Sequence, residues 1–225
     1  MPSYEPSVVV ADESPLLRAG LTTLLARGGY QVVGDAGDAE ALIQAATDTL
    51  PTLVITDARL GPVEEGPGDE GIRAAVRLHE KVPEMGIVVL ADSLDTAYAA
   101  PVFASAGTGG LGYLRKSRVR TIPHFLDVVG RVASGEVVVD PEVITRMVAA
   151  SPDADAEAMA RLTMRQSEVL GLVQAGFPER AIISRLFSGR RQFERCLSEI
   201  FLALGLSGDI EHRRTPTLLT HLASG

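Results

Sequence analysis

The chain of 225 residues holds one cysteine and no tryptophan, and aromatic residues make up only 4% of it. With Cys196 alone, no disulfide can form within the chain and no cysteine-rich zinc site is available. No apolar run approaches the ~20 residues that a membrane-spanning helix needs. The N terminus lacks the basic and then apolar segment of a secretory signal. These absences predict a cytoplasmic protein with no membrane partner.

Charge is distributed unevenly along the chain. The formal net charge is -8, yet residues 158–225 contain nine arginines and six acidic residues and therefore carry +3. Hydrophobic residues account for 46% of the chain, which is enough to bury a core. An acidic body followed by a mildly basic segment predicts two units with different partners, and the basic one is compatible with binding to nucleic acid.

Short apolar runs alternate with helical patterns through the first half of the chain, including a helical pattern near 96–106. Such an alternation of five strand-and-helix units over about 130 residues predicts a parallel sheet with right-handed crossovers. The runs occupy residues 8–11, 30–33, 53–55, 87–90 and 112–114.

Three of these runs end in charged residues. Asp12 and Glu13 follow the first, Asp57 follows the third, and Lys116 follows the fifth. A single aspartate after a strand is often there for turn formation, but the carboxyl ends of parallel strands meet at one edge, where ligands bind. Carboxylates that meet repel each other, and Mg²⁺ removes that cost by taking one or two of them with a phosphate oxygen. The pattern therefore indicates a phosphoryl-accepting carboxylate, Asp57, beside Mg²⁺.

The acidic pair with the following Ser14-Pro15, the strand-end Asp57 and the segment Tyr113–Lys116 together resemble the receiver domain of response regulators. The resemblance covers residues 7 to about 133, and we assign residues 1–133 to this domain. It implies a flavodoxin-like α/β fold whose five-stranded parallel sheet has the order 2-1-3-4-5.

The resemblance also implies a role for each site residue. Asp57 would accept phosphate from a histidine kinase, Lys116 would contact that phosphate, and Tyr113 would be the aromatic residue that turns inward on activation. The implied Mg²⁺ ligands are Asp12, Glu13, Asp57 and the carbonyl of Arg59.

The chain departs from the receiver pattern at the end of the fourth strand. The switch position, where the family has Thr or Ser, is Ala91, and Asp92 follows it. Alanine has no hydroxyl to donate to a phosphoryl group, and a carboxylate there repels the phosphate unless it faces away. Ser93, two residues beyond Ala91, is the alternative donor. The sequence is therefore compatible with a receiver that is phosphorylated on Asp57 and with a receiver that works independently of phosphate.

The rest of the chain predicts a linker and a small helical unit. Residues 134–158 are assigned to the linker, with a short helix from about Glu142 to Ala150, and residues 159–225 to the helical unit, which ends in a helix from Thr215. Thr163 and Gln166 form a capping-box pattern at a helix start.

A tight turn at Ser188-Gly189 separates a short helix from an arginine-rich one, which is typical of a helix-turn-helix motif. In that motif the second helix lies in the major groove of DNA. The alternative is a solvated basic face on a helical bundle. The residues that the second helix would present to bases and phosphates are Arg190, Arg191, Gln192 and Arg195.

Residues 160 to 222 resemble a LuxR-type DNA-binding domain, through Leu162-Thr163, Glu168–Leu170 and Ile200–Leu206. A receiver followed by such a domain is the arrangement of NarL/FixJ-class response regulators. Departures from the family pattern stand at Glu179 for Asn, Gly189 for Ser or Thr, Phe193 for valine, Arg195 for lysine and Cys196 for histidine.

Two functions remain in view. The first is a two-component response regulator that acts as a DNA-binding transcription regulator, homodimeric on an operator of double-stranded DNA. The alternative is a protein-interaction module that does not bind DNA but dimerises with another regulator and modulates it, an idea motivated by Gly189, Phe193 and Cys196. We do not expect an enzyme, because no separate general base or nucleophile is apparent.

Overall fold

The computed structural model describes residues 5–61, 69–92, 102, 109–119, 121–140, 142–143, 159–175 and 177–204. A parallel sheet of six strands, in the order β2-β1-β3-β4-β5-β6, forms its centre. The strands are β1 (Ser7–Ala11), β2 (Gln31–Ala36), β3 (Leu53–Asp57), β4 (Gly86–Ala91), β5 (Leu111–Arg115) and β6 (Val137–Val139). The helices around it are α1 (Pro15–Arg27), α2 (Ala39–Thr49), α3 (Glu70–Lys81) and α4 (Ile122–Ala133).

The central strands read as continuous apolar runs because helices cover both faces of a parallel sheet. Every residue of β3 and of β4 is buried, whereas β2, at the edge, is only partly buried. The predicted α/β fold and the order of its first five strands are confirmed.

The sixth strand corrects the prediction of a five-stranded sheet. Val137–Val139 pairs in parallel with β5, and the backbone N–H of Asp140 donates to the carbonyl of Tyr113 at 3.0 Å. Three consecutive β-branched residues suit a strand, and they cover an edge of β5 that would otherwise expose unpaired N–H and C=O groups. The stretch assigned to the linker therefore begins as part of the sheet.

The C-terminal unit contains α5 (Met164–Gln174), α6 (Glu179–Leu186) and α7 (Arg190–Ala203). Thr163 and Gln166 form the predicted capping box at the start of α5. The helix α7 lies against both α5 and β6, and one hydrophobic cluster runs from Tyr113 and Val139 to Phe193 and Leu197. The two units therefore share a continuous core.

Some predicted features lie outside the described residues. These are Ser93, the helix near 96–106 apart from Val102, the linker helix beyond Val143, and the last helix from Thr215. Across the part of the chain that is described, no helix combines the length and the apolar character needed to cross a membrane.

His79, on α3, is 1% exposed, and neither of its ring nitrogens has a hydrogen-bond partner among the described residues. Burial lowers the pKa of His79, so the unfolded chain binds a proton more readily than the folded one. We therefore expect the free energy of unfolding to fall as the pH drops below about 6.5, the ordinary pKa of histidine. Urea denaturation between about pH 5 and pH 8 measures this dependence.

The matched comparison uses His79→Leu and His124→Gln. The first variant should lose part of the pH dependence, whereas the second, at the partly exposed start of α4, should keep it. An identical pH dependence in wild type and His79→Leu would show that His79 is not the responsible group.

Candidate functional site

A pocket of opposite charges lies at the carboxyl edge of the sheet. The Nζ of Lys116 lies 2.6 Å from Oδ2 of Asp57 and 3.4 Å from Oδ2 of Asp12. Both aspartates are buried, with exposed fractions of 3% and 1%. The parallel topology thus brings together three charged residues from the ends of β1, β3 and β5.

Local hydrogen bonds fix the orientation of each carboxylate. Oδ1 of Asp12 accepts from the backbone N–H of Ser14 at 2.8 Å, and the Ser14 side chain in turn caps α1. Oδ1 of Asp57 accepts from the backbone N–H of Arg59 at 3.3 Å. In each aspartate the second oxygen is left to face Lys116, so the oxygens that meet in the pocket are preorganised.

The first turn of α3 packs directly on the chain that carries Asp57. The backbone N–H groups of Gly71 and Ile72 both donate to the carbonyl of Ala58, at 3.1 and 3.3 Å. A Cβ at position 71 would overlap the carbonyl oxygen of Asp57. Glycine is the residue that allows this approach, and α3 therefore packs directly against the backbone that carries Asp57.

The pKa values of the pocket follow from burial and from Lys116. Burial raises the pKa of Asp57, although the hydrogen bond and the charge of Lys116 oppose that change. For Lys116, burial alone would lower the pKa, but the hydrogen bond to Asp57 and the charges of Asp57, Asp12 and Asp92 outweigh it and raise the pKa. The lysine is therefore an ammonium at neutral pH.

Asp12 and Asp57 suit Mg²⁺. Within the described residues, no three His, Cys, Asp or Glu side chains form a group that could hold a metal, and Glu13 is exposed, so its role as a ligand stays a prediction. Mg²⁺ needs only one or two carboxylates, since waters and phosphate oxygens complete its shell. Two buried aspartates that already share one ammonium supply that donor set. Arg59 lies beside them with its N–H bonded to Asp57.

Of the two described residues at the end of β4, Ala91 and Asp92, the second contributes a carboxylate to the pocket. Ala91 is 2% exposed and pairs in register with Arg115. Asp92, which comes next, faces the pocket, with Oδ2 3.6 Å from the Nζ of Lys116. Tyr113, on β5, is buried between Val89 and Val139 of the neighbouring strands.

The start of α7 presents arginines to solvent, as the helix-turn-helix pattern predicted. The side chains of Arg191 and Arg195 are 61% and 63% exposed, and Arg190 is also exposed. Gln192 has a second role, because its Oε1 accepts hydrogen bonds from the N–H and the hydroxyl of Ser188, at 3.3 and 2.8 Å. This contact ties the turn before α7 to the first turn of the helix, beside Gly189, where the family has a serine or threonine cap.

Two of the departures that favoured loss of DNA binding lie in the core. Phe193 is fully buried and meets Phe187 edge to face, with ring centroids 5.7 Å apart. Cys196 is 8% exposed, and burial raises the pKa of its thiol to about 11. Because both side chains point away from the exposed arginines, these substitutions repack the helical unit and leave its basic surface intact.

Within the described residues, two arginines on the basic surface of α7 contact one carboxylate beside the sheet. Glu136, just before β6, lies 3.2 Å from Arg191 and 3.6 Å from Arg195. The buried Arg131 of α4 holds the same carboxylate at 3.0 Å. Burial acts against ionisation of Glu136, but Arg131 and Arg191 outweigh it and lower its pKa, so the carboxylate stays charged.

Sequence reasoning missed Glu136 and the orientation of Asp92. The partners of Glu136 on α7 stand 55 and 59 positions along the chain, and no local spacing links them. The nearest local feature is Gly135, whose positive φ of 86° lies directly before Glu136, and it does not identify those partners.

Comparison with known proteins agrees with this geometry. Residues 8–120 match the response regulator receiver domain family. The nitrate/nitrite response regulator protein NarL of Escherichia coli K12 is 30% identical over 192 residues, which is 83% of each chain. The transcriptional activator protein ExaE of Pseudomonas putida is 26% identical over 220 residues, 96% of this chain and 94% of its own.

A solved structure has the same fold at lower identity. The RcsB response regulator of Salmonella typhimurium superposes with a TM-score of 0.51 at 22% identity, over 92% of this chain and 95% of its own. The chain belongs to the response-regulator family, with the receiver and DNA-binding arrangement of the NarL class.

Proposed function

We propose that this chain is a DNA-binding transcription regulator of a two-component system, whose receiver accepts a phosphoryl group on Asp57 from a histidine kinase. The observation that carries the proposal is the convergence of Asp12, Asp57 and Lys116 at one sheet edge. Two buried carboxylates next to an ammonium match the needs of phosphoryl transfer to an aspartate, where charge must be neutralised on every side of the phosphorus.

The proposed reaction is the transfer of a phosphoryl group by nucleophilic attack on phosphorus. An oxygen of the Asp57 carboxylate attacks the phosphorus of a phosphohistidine, and the new O–P bond forms as the N–P bond breaks. The imidazole nitrogen leaves with the electron pair. The Lys116 ammonium, 2.6 Å from Asp57 before transfer, pairs with a phosphoryl oxygen after it. Mg²⁺, held by Asp12 and Asp57, supplies further neutralisation of charge when bound.

DNA binding is assigned to the exposed start of α7. Arg190, Arg191 and Arg195 can pair with phosphates or fork onto guanine, whereas Gln192 is partly occupied by its contact with Ser188. The position of Phe193 and Cys196 in the core supports this reading over the interaction-module alternative. A homodimer is proposed because two half-sites on an operator mirror a two-fold symmetric protein.

Control by the receiver is assigned to Glu136. Its carboxylate occupies the same two arginines, Arg191 and Arg195, that would meet the phosphates of DNA. Because one arginine cannot pair fully with both, DNA binding requires α7 to leave Glu136. A phosphoryl group on Asp57 would then act by shifting the balance between the paired and the released arrangement.

The test is capture of genomic DNA fragments by the purified protein at physiological salt, with and without Mg²⁺ and beryllofluoride. We expect discrete fragments to be enriched in both conditions, and more strongly with the phosphate mimic. The mimic should have no effect on Asp57→Asn, and the Arg191→Ala, Arg195→Ala double variant should lose the enrichment.

Two other results would contradict parts of the proposal. Equal enrichment with and without the mimic would mean a DNA-binding regulator that phosphate does not control. Absence of enrichment in every condition, with the protein folded, would favour the interaction module that modulates another regulator.

A further inference from the structure

Asp92 places a third carboxylate at the ammonium of Lys116. Its Oδ2 lies 3.6 Å from Nζ, on the solvent side of the pocket. Asp12 and Asp57 lie on the buried side. The side chain of Asp92 is 67% exposed, in contrast with 2% for Asp12 and 4% for Asp57. A phosphoryl group that binds between Asp57 and Lys116 therefore meets the charge of Asp92 at close range.

The charges around Lys116 favour one kind of ion over the other. With all three aspartates ionised, the lysine and its neighbours carry a net charge of two negative units, and Ala91 offers no hydroxyl that could donate to an anion. A further carboxylate attracts a divalent cation and repels a phosphoryl group, and both effects reach over several ångströms in partly solvated surroundings.

We propose that Asp92 sets the ionic preference of the pocket, by strengthening the binding of a divalent cation and slowing the arrival of a phosphoryl group at Asp57. The proposal rests on the assignment of Asp57 as the phosphoacceptor. Asp92 is then a specificity-determining residue of the pocket. Efficient phosphotransfer would require a donor, such as a docked kinase domain, whose contacts with the receiver offset the repulsion by Asp92.

A purely structural role does not account for the position of Asp92. Its side chain is mostly exposed and follows the last residue of β4, so an amide in its place keeps the volume and leaves the core untouched. The effect of Asp92 on the pocket can therefore be measured in a folded variant. Removal of its charge should weaken cation binding and speed up phosphorylation.

The experiment compares full-length wild type with Asp92→Asn in two measurements. Binding of Mn²⁺, followed by electron paramagnetic resonance as a stand-in for Mg²⁺, should weaken about threefold in the variant, since an exposed charge acts through solvent screening. The initial rate of labelling by radioactive acetyl phosphate, at saturating Mg²⁺, should rise about threefold for the same reason.

Asp48→Asn serves as the charge-matched control. Asp48 is an exposed aspartate on α2, hydrogen-bonded to Gln44, and its loss should change neither measurement. Unchanged values in Asp92→Asn, or changes of the same sign in both, would overturn the proposal.

Asp57→Asn separates this inference from the proposed function. Labelling that disappears in Asp57→Asn but is equal in wild type and Asp92→Asn would refute the role of Asp92 and leave Asp57 as the acceptor. An absence of label in wild type and in Asp92→Asn alike, with Mn²⁺ bound, would contradict the phosphoacceptor assignment itself. Mn²⁺ binding that is weaker in Asp92→Asn would still support the cation half of the inference.

Discussion

Replacement of Gly71 by alanine should lower the free energy of unfolding by about 3 kcal/mol, at the upper end of what overpacking costs. The added Cβ would overlap the carbonyl oxygen of Asp57 and lie 3.0 Å from that of Ala58. Both are backbone atoms of a buried strand end, so they cannot move aside as a flexible side chain would. The helix α3 must instead shift away from β3, which breaks the hydrogen bonds of Gly71 and Ile72 to Ala58.

The same substitution should also disable the pocket. Asp57 is held by the backbone that α3 presses on, and a shift there moves its carboxylate relative to Lys116. We expect labelling by acetyl phosphate to fall at least tenfold even at a temperature where the variant is folded, since misplacement by about 1 Å is costly in transfer chemistry.

Gly171→Ala is the matched control for this prediction. Gly171 lies within α5, and a Cβ there meets no atom within 4 Å. Alanine should stabilise that helix by about 0.5–1 kcal/mol, because glycine loses more backbone entropy in a helix. Urea denaturation of both variants measures the contrast. Equal stability of wild type and Gly71→Ala would show that α3 can withdraw from Asp57 without cost.

Glu136→Gln should raise the affinity for DNA about fivefold, the effect of a solvent-exposed ion pair worth about 1 kcal/mol. The wild-type carboxylate holds Arg191 and Arg195 against the receiver, and glutamine keeps the shape but removes the charge that attracts them. Fluorescence anisotropy with a random-sequence duplex, at several salt concentrations, measures this effect without knowledge of the operator.

The control must separate release of α7 from a simple change in net charge. Glu168→Gln also removes one acidic charge, from an exposed residue of α5 that pairs loosely with Arg165 at 3.8 Å. It should raise DNA affinity much less than Glu136→Gln. If the two variants gained affinity equally, the contact between Glu136 and α7 would not restrain DNA binding.

The fold and the buried part of the site were predictable from the sequence because they depend on short-range patterns. Apolar runs ending in Asp12, Asp57 and Lys116 specify strands whose ends must meet, since parallel strands with helical crossovers place their carboxyl ends at one edge. The capping box of Thr163 and Gln166 similarly specifies a helix start from four consecutive residues.

The remaining features depend on contacts between distant parts of the chain. Phe193 and Cys196 looked like lost DNA contacts, because helical spacing alone does not say which face of α7 the core takes. Their burial became clear only from the packing of Phe193 against Phe187 and of α7 against β6. Glu136 carries no local signal for its partners on α7, and the contact of Asp92 with the pocket depends on the position of the Lys116 ammonium.

The pairing of β6 with β5 also bears on how the chain is made. Synthesis delivers β5 before Val137–Val139, so for some seconds the outer edge of β5 offers unpaired backbone groups to other nascent chains. A receiver cut at residue 133, the boundary that the sequence suggests, would keep that edge open permanently. An isolated receiver that is to remain monomeric in solution should therefore extend at least through Val143. The N–H of Val143 donates to the carbonyl of Asp140, directly after β6.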